Sequence, residues 1–239
     1  MKKALIYIKF ILLLSGIIFL YAFTQHKNKQ QTIKEIEVVF TENQASFLTI
    51  EKVNKLLIQS ENGLLNKPKS LINLHQLEEE VCKNSMIENV EVYITPRGQL
   101  QAGIIQRVPL VRVQNGAKSY YIDRQGLKMP LSANYSERVP IVTGVVHENE
   151  EQEVFELIQV INKNTFYKKQ IIGIHRKING DYLLSTRIGR PKILLGNLEN
   201  IEDKFKKLAV FYKKEWGSEN LQKYKLINLK FDHQVVCSK

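Results

Sequence analysis

The sequence predicts an α+β protein: a single N-terminal transmembrane helix, a small β-α-α-β-β domain, then a mixed β-sheet domain with two helices. Three observations carry this reading. Residues 4–24 form an apolar run with one charge, Lys9. Residues 33–104 switch between the two-residue period of strands and the helical period in the order strand, helix, helix, strand, strand. Residues 171–188 hold two apolar-rich stretches around Asn179-Gly180, a strong hairpin turn signal. The expected boundaries are 1–3 for a short tail, 4–24 for the membrane helix, 25–32 for a juxtamembrane linker, 33–113 for the first domain and 114–239 for the second.

A stretch of about 20 apolar residues spans a bilayer as a helix. Lys9 sits near enough to the interface to snorkel. A cleaved signal peptide would need a shorter apolar core and a small-x-small exit, whereas Tyr21-Ala22-Phe23-Thr24 has no Ala-x-Ala pattern. Lys2, Lys3 and Lys9 precede or enter the run and Lys27, Lys29 and Lys34 follow it, so the positive-inside rule gives nearly a tie on orientation.

In the first domain, residues 33–40 alternate loosely as a strand. Thr49 is placed to cap a helix carrying Ile50, Val53, Leu56 and Leu57 at helical spacing. Asn73, with Gln76 three residues on, opens a second helix whose apolar stripe is Leu74, Leu77 and Val81. Val90, Val92 and Ile94 alternate with polar partners, Pro96-Arg97-Gly98 turns the chain, and Leu100, Ala102 and Ile104 return it. In the second domain, Tyr120 to Asp123 and Leu127 to Pro130 flank a turn at Arg124-Gln125-Gly126. Residues 140–144 are extended. Val154, Leu157, Ile158 and Ile161 mark a helix over 150–163. Residues 171–178 and 181–188 are strands and 190–195 add a third. Ile201, Phe205 and Leu208 mark a last helix, and residues 224–236 read as one final strand. Glu202 and Asp203 precede Lys206 and Lys207 by four, a favourable helix pairing. The lysines at 204, 206, 207, 213 and 214 read as a solvated face.

Composition narrows function by exclusion. The chain of 239 residues is 44% apolar and 25% charged, a globular balance. Its net charge is +11, and removing Lys2, Lys3 and Lys9 with the first 26 residues leaves +8. Such a surface favours anionic headgroups, acidic polymers or an acidic partner. The aromatic residues do not interleave with a basic stripe, so nucleic acid is not expected as a partner. Two cysteines, Cys82 and Cys237, rule out a disulfide-dense scaffold, and histidines at 26, 75, 147, 175 and 233 form no local metal motif. There is no phosphate loop, dinucleotide fingerprint or nucleophile elbow. His147-Glu148-Asn149-Glu150-Glu151 begins like a zinc-protease helix but ends in Glu where the second His is required. No catalytic residue, cofactor or metal is expected.

Several short motifs in order resemble the FtsQ/DivIB family of bacterial cell-division proteins, whose first extra-membrane domain is POTRA-like. Gly98 to Val113, GQLQAGIIQRVPLVRV, is similar to the family's Gly-x-Leu strand followed by Glu-Arg-x-Pro; Gln106 replaces the Glu, so Arg107 and Pro109 carry over. Tyr121-Ile122-Asp123 with Gly126 resembles the family's Tyr-x-Ile-Asp-x-x-Gly. Val139-Pro140 to Thr143-Gly144 resembles its Leu-Pro…Gly stretch, and INLKFDHQVV at 227–236 its closing strand, with Asn228 for Asp and Lys230 for Arg. The resemblance runs from about Ile33 to Val236. It implies a non-enzymatic scaffold in the cytoplasmic (inner) membrane at the division septum, with its bulk periplasmic or extracytoplasmic and residues 1–3 cytoplasmic. It implies binding to FtsB/DivIC-like and FtsL-like coiled-coil membrane proteins, which govern the septal peptidoglycan synthase, and to other divisome proteins through the POTRA-like domain.

A mechanism follows from strand chemistry. An edge strand offers unpaired N–H and C=O groups to a partner strand, and alternating side chains supply specificity. In a continuous strand over 224–236, Leu229, Phe231, His233 and Val235 share one face, and the match to the family's closing strand makes them the expected partner contacts. Leu229 and Phe231 serve equally well as core residues, and Arg107 and Pro109 as the end of the POTRA-like sheet; the sequence leaves these roles open. A POTRA-type transport or envelope-assembly factor is the alternative. It would normally bring further POTRA repeats or a many-stranded barrel, and the sequence contains neither.

Overall fold

The computed structural model describes residues 2–29, 31–41, 47–60, 63–144, 147–187, 191–215, 219–232 and 234–239. The chain divides into two compact units, 1–106 and 107–239. The expected boundary at 113/114 is therefore corrected: it falls inside a strand, Pro109–Asn115, that belongs to the sheet of the second unit.

The first unit begins with helix α1 (Lys2–Lys29). Its stretch Tyr7–Lys27 is long and apolar enough to cross a membrane. Strand β1 (Glu35–Phe40), helix α2 (Ile50–Ser60), a 3-10 turn (Lys69–Leu71), helix α3 (Leu74–Cys82), β2 (Ile87–Ile94) and β3 (Gln99–Gln106) follow. The strands lie in the order β1-β3-β2, with β1 parallel and β2 antiparallel to β3. Both expected caps form. Thr49 Oγ1 accepts from Lys52 N at 3.3 Å, and Asn73 Oδ1 accepts from Gln76 N at 3.2 Å. The open edge of β2 is partly closed, because Glu78 Oε1 accepts from Val92 N at 2.7 Å. Gln106 is buried and its Oε1 accepts from Leu48 N at 3.0 Å, a role that a neutral amide fills without burying a charge.

The second unit is a nine-stranded mixed sheet. Its elements are β4 (Pro109–Asn115), β5 (Lys118–Asp123), β6 (Lys128–Pro130), β7 (Ile141–Gly144), α4 (Glu148–Asn162), α5 (Thr165–Gln170), β8 (Ile171–Arg176), β9 (Tyr182–Thr186), β10 (Lys192–Gly196), α6 (Ile201–Glu215), α7 (Glu219–Lys223), β11 (Leu226–Asn228) and β12 (Val236–Ser238). The strand order is β12-β11-β10-β9-β8-β7-β4-β5-β6. Parallel neighbours need a crossover, and helices supply two of them: α4 and α5 join β7 to β8, and α6 and α7 join β10 to β11. Val154, Leu157, Ile158 and Ile161 of α4 are fully buried in the core, as their spacing predicts. The short helices α5 and α7 are additions to the two that periodicity predicts. The first is started by Asn164, whose Oδ1 accepts from Phe166 N at 2.9 Å.

Other local features turn out to be structural. His147 opens α4, its N–H donating to Glu150 Oε2 at 2.6 Å, which accounts for the His147–Glu151 segment. The i to i+4 pairs expected on α6 are replaced. Asp203 pairs with Lys206 at 2.8 Å and Glu202 with Lys163 at 3.1 Å. Nor are the α6 lysines one solvated face. Lys204 is buried, donating to Asn197 O at 2.8 Å and Oδ1 at 3.0 Å, and burial lowers its pKa. Cys82 and Cys237 are not joined in a disulfide.

Gly144 has φ +112°, and a Cβ there would collide with the backbone carbonyl of Arg176 on the neighbouring parallel strand. Gly144→Ala is expected to destabilise the second unit by at least about 2 kcal/mol. Chemical denaturation of the purified variant measures it, and an unchanged midpoint would contradict the contact.

Candidate docking surface

The expected final strand over 224–236 is corrected by the structure. β11 runs parallel to β10 and ends at Asn228, and the chain then turns back so that β12 pairs antiparallel with β11. Asn228 makes the break locally. Its Oδ1 accepts from Lys230 N at 3.0 Å, so a side chain takes a backbone donor that a continuing ladder would have used. Lys207 Nζ holds the turn from α6 by donating to Phe231 O at 2.7 Å. Lys230 Nζ reaches Asp181 Oδ2 at 2.9 Å, and this hydrogen bond lowers the Asp181 pKa.

The four residues expected to share one strand face consequently part. Leu229 is fully buried in the core and is withdrawn as a contact. Val235 is half-buried against the same core. Phe231 is 46% exposed, and the neighbouring Val236, which sequence alternation put on the opposite face, is 41% exposed. His233 lies outside the described residues. The order of the sheet makes β12 one of its two terminal strands, β6 being the other. Cys237 lies within β12, packs on the core and has its pKa raised by burial.

Arg107 and Pro109 are also relocated. They begin the second unit instead of closing the first, and Pro109 pairs with Asp123 across β4 and β5. Arg107 Nη1 donates to Asp123 Oδ2 at 2.6 Å, with 15% of the arginine side chain and none of the aspartate exposed. Asp123 Oδ1 accepts from Gln125 N at 2.9 Å and Leu127 N at 2.8 Å, holding the turn after β5. Gly126 completes that turn at φ +80°. The Arg-x-Pro and Tyr-x-Ile-Asp-x-x-Gly motifs thus form one buried ion-pair and turn assembly. Asp123 is the residue that sequence reasoning quoted without giving it this partner; the signal was two charged motif residues of opposite sign flanking one hairpin.

A family model described as FtsQ/DivIB, C-terminal related, matches residues 108–238, more than half of the chain. The chain belongs to the FtsQ/DivIB C-terminal related family. A POTRA-like domain model matches residues 28–105, so the two matches meet where the two units divide. Together they mark a division-associated POTRA protein. Among solved structures, POTRA1-2 of the periplasmic domain of Omp85 from Anabaena is 15% identical, covering 82% of this chain and 83% of its own, with a TM-score of 0.28. No curated protein matched. In this FtsQ/DivIB-related chain, no group of three or more His, Cys, Asp or Glu among the described residues is placed to hold a metal ion.

Proposed function

We propose that this chain is a non-enzymatic scaffold of the division machinery. In this reading α1 anchors it in the cytoplasmic membrane, its bulk lies on the periplasmic or extracytoplasmic side, and it gathers at the septum. It holds FtsB/DivIC-like and FtsL-like coiled-coil membrane proteins and so helps control septal peptidoglycan synthesis. Its POTRA-like unit contacts other divisome proteins. The observation that carries the reading is the terminal position of β12 in the nine-stranded sheet, with exposed Val236 in that strand and exposed Phe231 in the turn before it. A partner strand adding to β12 would gain main-chain hydrogen bonds, and these two side chains would give it apolar contacts. On the first unit, by contrast, Glu78 already occupies a donor on the open edge of β2.

Localisation tests the reading. A fluorescent fusion of the full chain is expected to form a band at mid-cell in dividing cells. Uniform envelope fluorescence through division would favour a transport or envelope-assembly role of POTRA type.

A further inference from the structure

We propose that the end of the first unit next to α1 rests on the membrane surface, where Leu65 and Leu71 enter the headgroup layer and Lys34, Lys67 and Arg97 face anionic lipid phosphates. The inference rests on the reading that α1 spans the membrane.

Connectivity carries the argument first. The apolar stretch ends at Lys27 and the helix continues to Lys29. At 1.5 Å per helical residue and about 3.5 Å per extended one, Gln31 lies within about 10 Å of Lys27. The headgroup layer is itself roughly 5–8 Å thick on each side of the hydrocarbon core. Residues 31–34 are therefore at or just above lipid phosphates, and whatever is fastened to them is there too.

Two turns are fastened to them. Lys69 N donates to Gln31 O at 2.8 Å, and Lys69 Nζ to Gln31 Oε1 at 2.7 Å. Ile33 N donates to Lys67 O at 3.0 Å, and Asn66 N to Ile33 O at 2.8 Å. The 65–71 segment is thus latched to the chain as it leaves α1, and the 3-10 turn lies beside that helix. The β2–β3 turn is tied to the same place. Lys34 N donates to Gly98 O at 2.9 Å, and Lys69 Nζ also donates to Thr95 O at 2.9 Å.

The side chains at this end match an interface. Leu71 is 71% exposed, the most exposed large apolar side chain of the first unit outside α1 among the described residues, and Leu65 is 50% exposed. A lipid interface accepts an apolar tip ringed by cations. Lys34 and Arg97 are exposed and Lys67 and Lys69 half-buried. Among the described residues, the acids next along the chain are Glu35, whose Oε2 accepts from Gln99 Nε2 at 3.2 Å, and Glu37, whose Oε2 accepts from Gln101 Nε2. A contact here fixes how the POTRA-like unit stands on the bilayer, which a single flexible connection to α1 would leave free.

Nitroxide accessibility in the full chain tests this. Leu71→Cys, with Cys82→Ser and Cys237→Ser, is spin-labelled and reconstituted in phosphatidylcholine vesicles containing phosphatidylglycerol. Ser85→Cys, exposed at the opposite end of the β2 and β3 strands, is the reference. The Leu71 label is expected to gain collisions with oxygen and lose those with a water-soluble nickel chelate, while the Ser85 label stays water-like. Lys34→Glu with Arg97→Glu should return the Leu71 label to water-like values. In the unsubstituted chain, amide exchange over 65–72 should slow several-fold in these vesicles relative to neutral detergent. A water-like Leu71 label in a chain that resists carbonate extraction overturns this inference and leaves the anchor standing. A chain released by carbonate overturns the anchor and the inference with it.

Discussion

Asp123→Ala is expected to destabilise the second unit by about 3–5 kcal/mol, the usual cost of removing one partner from a buried ion pair. The carboxylate is fully buried and serves three donors: Arg107 Nη1, Gln125 N and Leu127 N. Its loss leaves a largely buried guanidinium without its counter-charge and two backbone N–H groups without an acceptor. In a unit of this size that corresponds to a fall in melting temperature of roughly 10 °C or more. Asp123→Asn keeps the shape and some acceptor capacity and should lose less. Calorimetry of the full-length variants reads both effects. A loss below about 1 kcal/mol for the alanine variant would mean that the Arg107–Asp123 assembly does not hold the start of the second unit.

Phe231→Glu is expected to weaken partner binding at least tenfold, about 1.4 kcal/mol, with the unfolding midpoint unchanged. Aromatic side chains anchor interfaces, and a carboxylate in the same place brings a desolvation penalty. The fold should tolerate the change because Phe231 is 46% exposed and its backbone carbonyl, not its ring, is what Lys207 holds. Titration of the variant with the proposed coiled-coil partner, beside denaturation of the same sample, separates the two effects. Unchanged affinity in a folded variant would remove Phe231 from the surface.

Much of the fold was legible because local signals agreed with tertiary packing. Thr49 and Asn73 cap where their side chains can reach a backbone donor, Asn179-Gly180 turns the β8–β9 hairpin, and the α4 stripe is core. The misread boundary has a physical cause. β3 and β4 are separated by only Arg107 and Val108, and both alternate buried with less buried residues, so nothing in their period marks a change of sheet. The change appears only in pairing, where β3 joins β1 and β2 while β4 joins β5 and β7. The misread last strand has the same kind of cause. Leu229, Phe231 and Val235 continue the apolar alternation, whereas the break is enforced by Asn228 locally and by Lys207 from a helix 24 residues earlier in the chain. Lys204 and Lys207 looked like solvent-facing charges because their partners, Asn197 and the turn at 229–231, lie off their own helix.

The proposed docking surface therefore differs from the sequence reading in its side chains while keeping the same C-terminal segment. Family resemblance pointed to the C-terminal segment, and the sheet order puts β12 at its edge, but Leu229 belongs to the core and Val236 takes the exposed place. The measurement that tests strand addition at β12 most directly is photo-crosslinking in dividing cells, with a photoreactive residue in place of Val236 and, separately, of Val39 on β1. The account predicts an adduct from Val236 with a small single-span coiled-coil membrane protein. An adduct from Val39 with that protein and none from Val236, or an adduct from Val236 with a barrel protein, would contradict it.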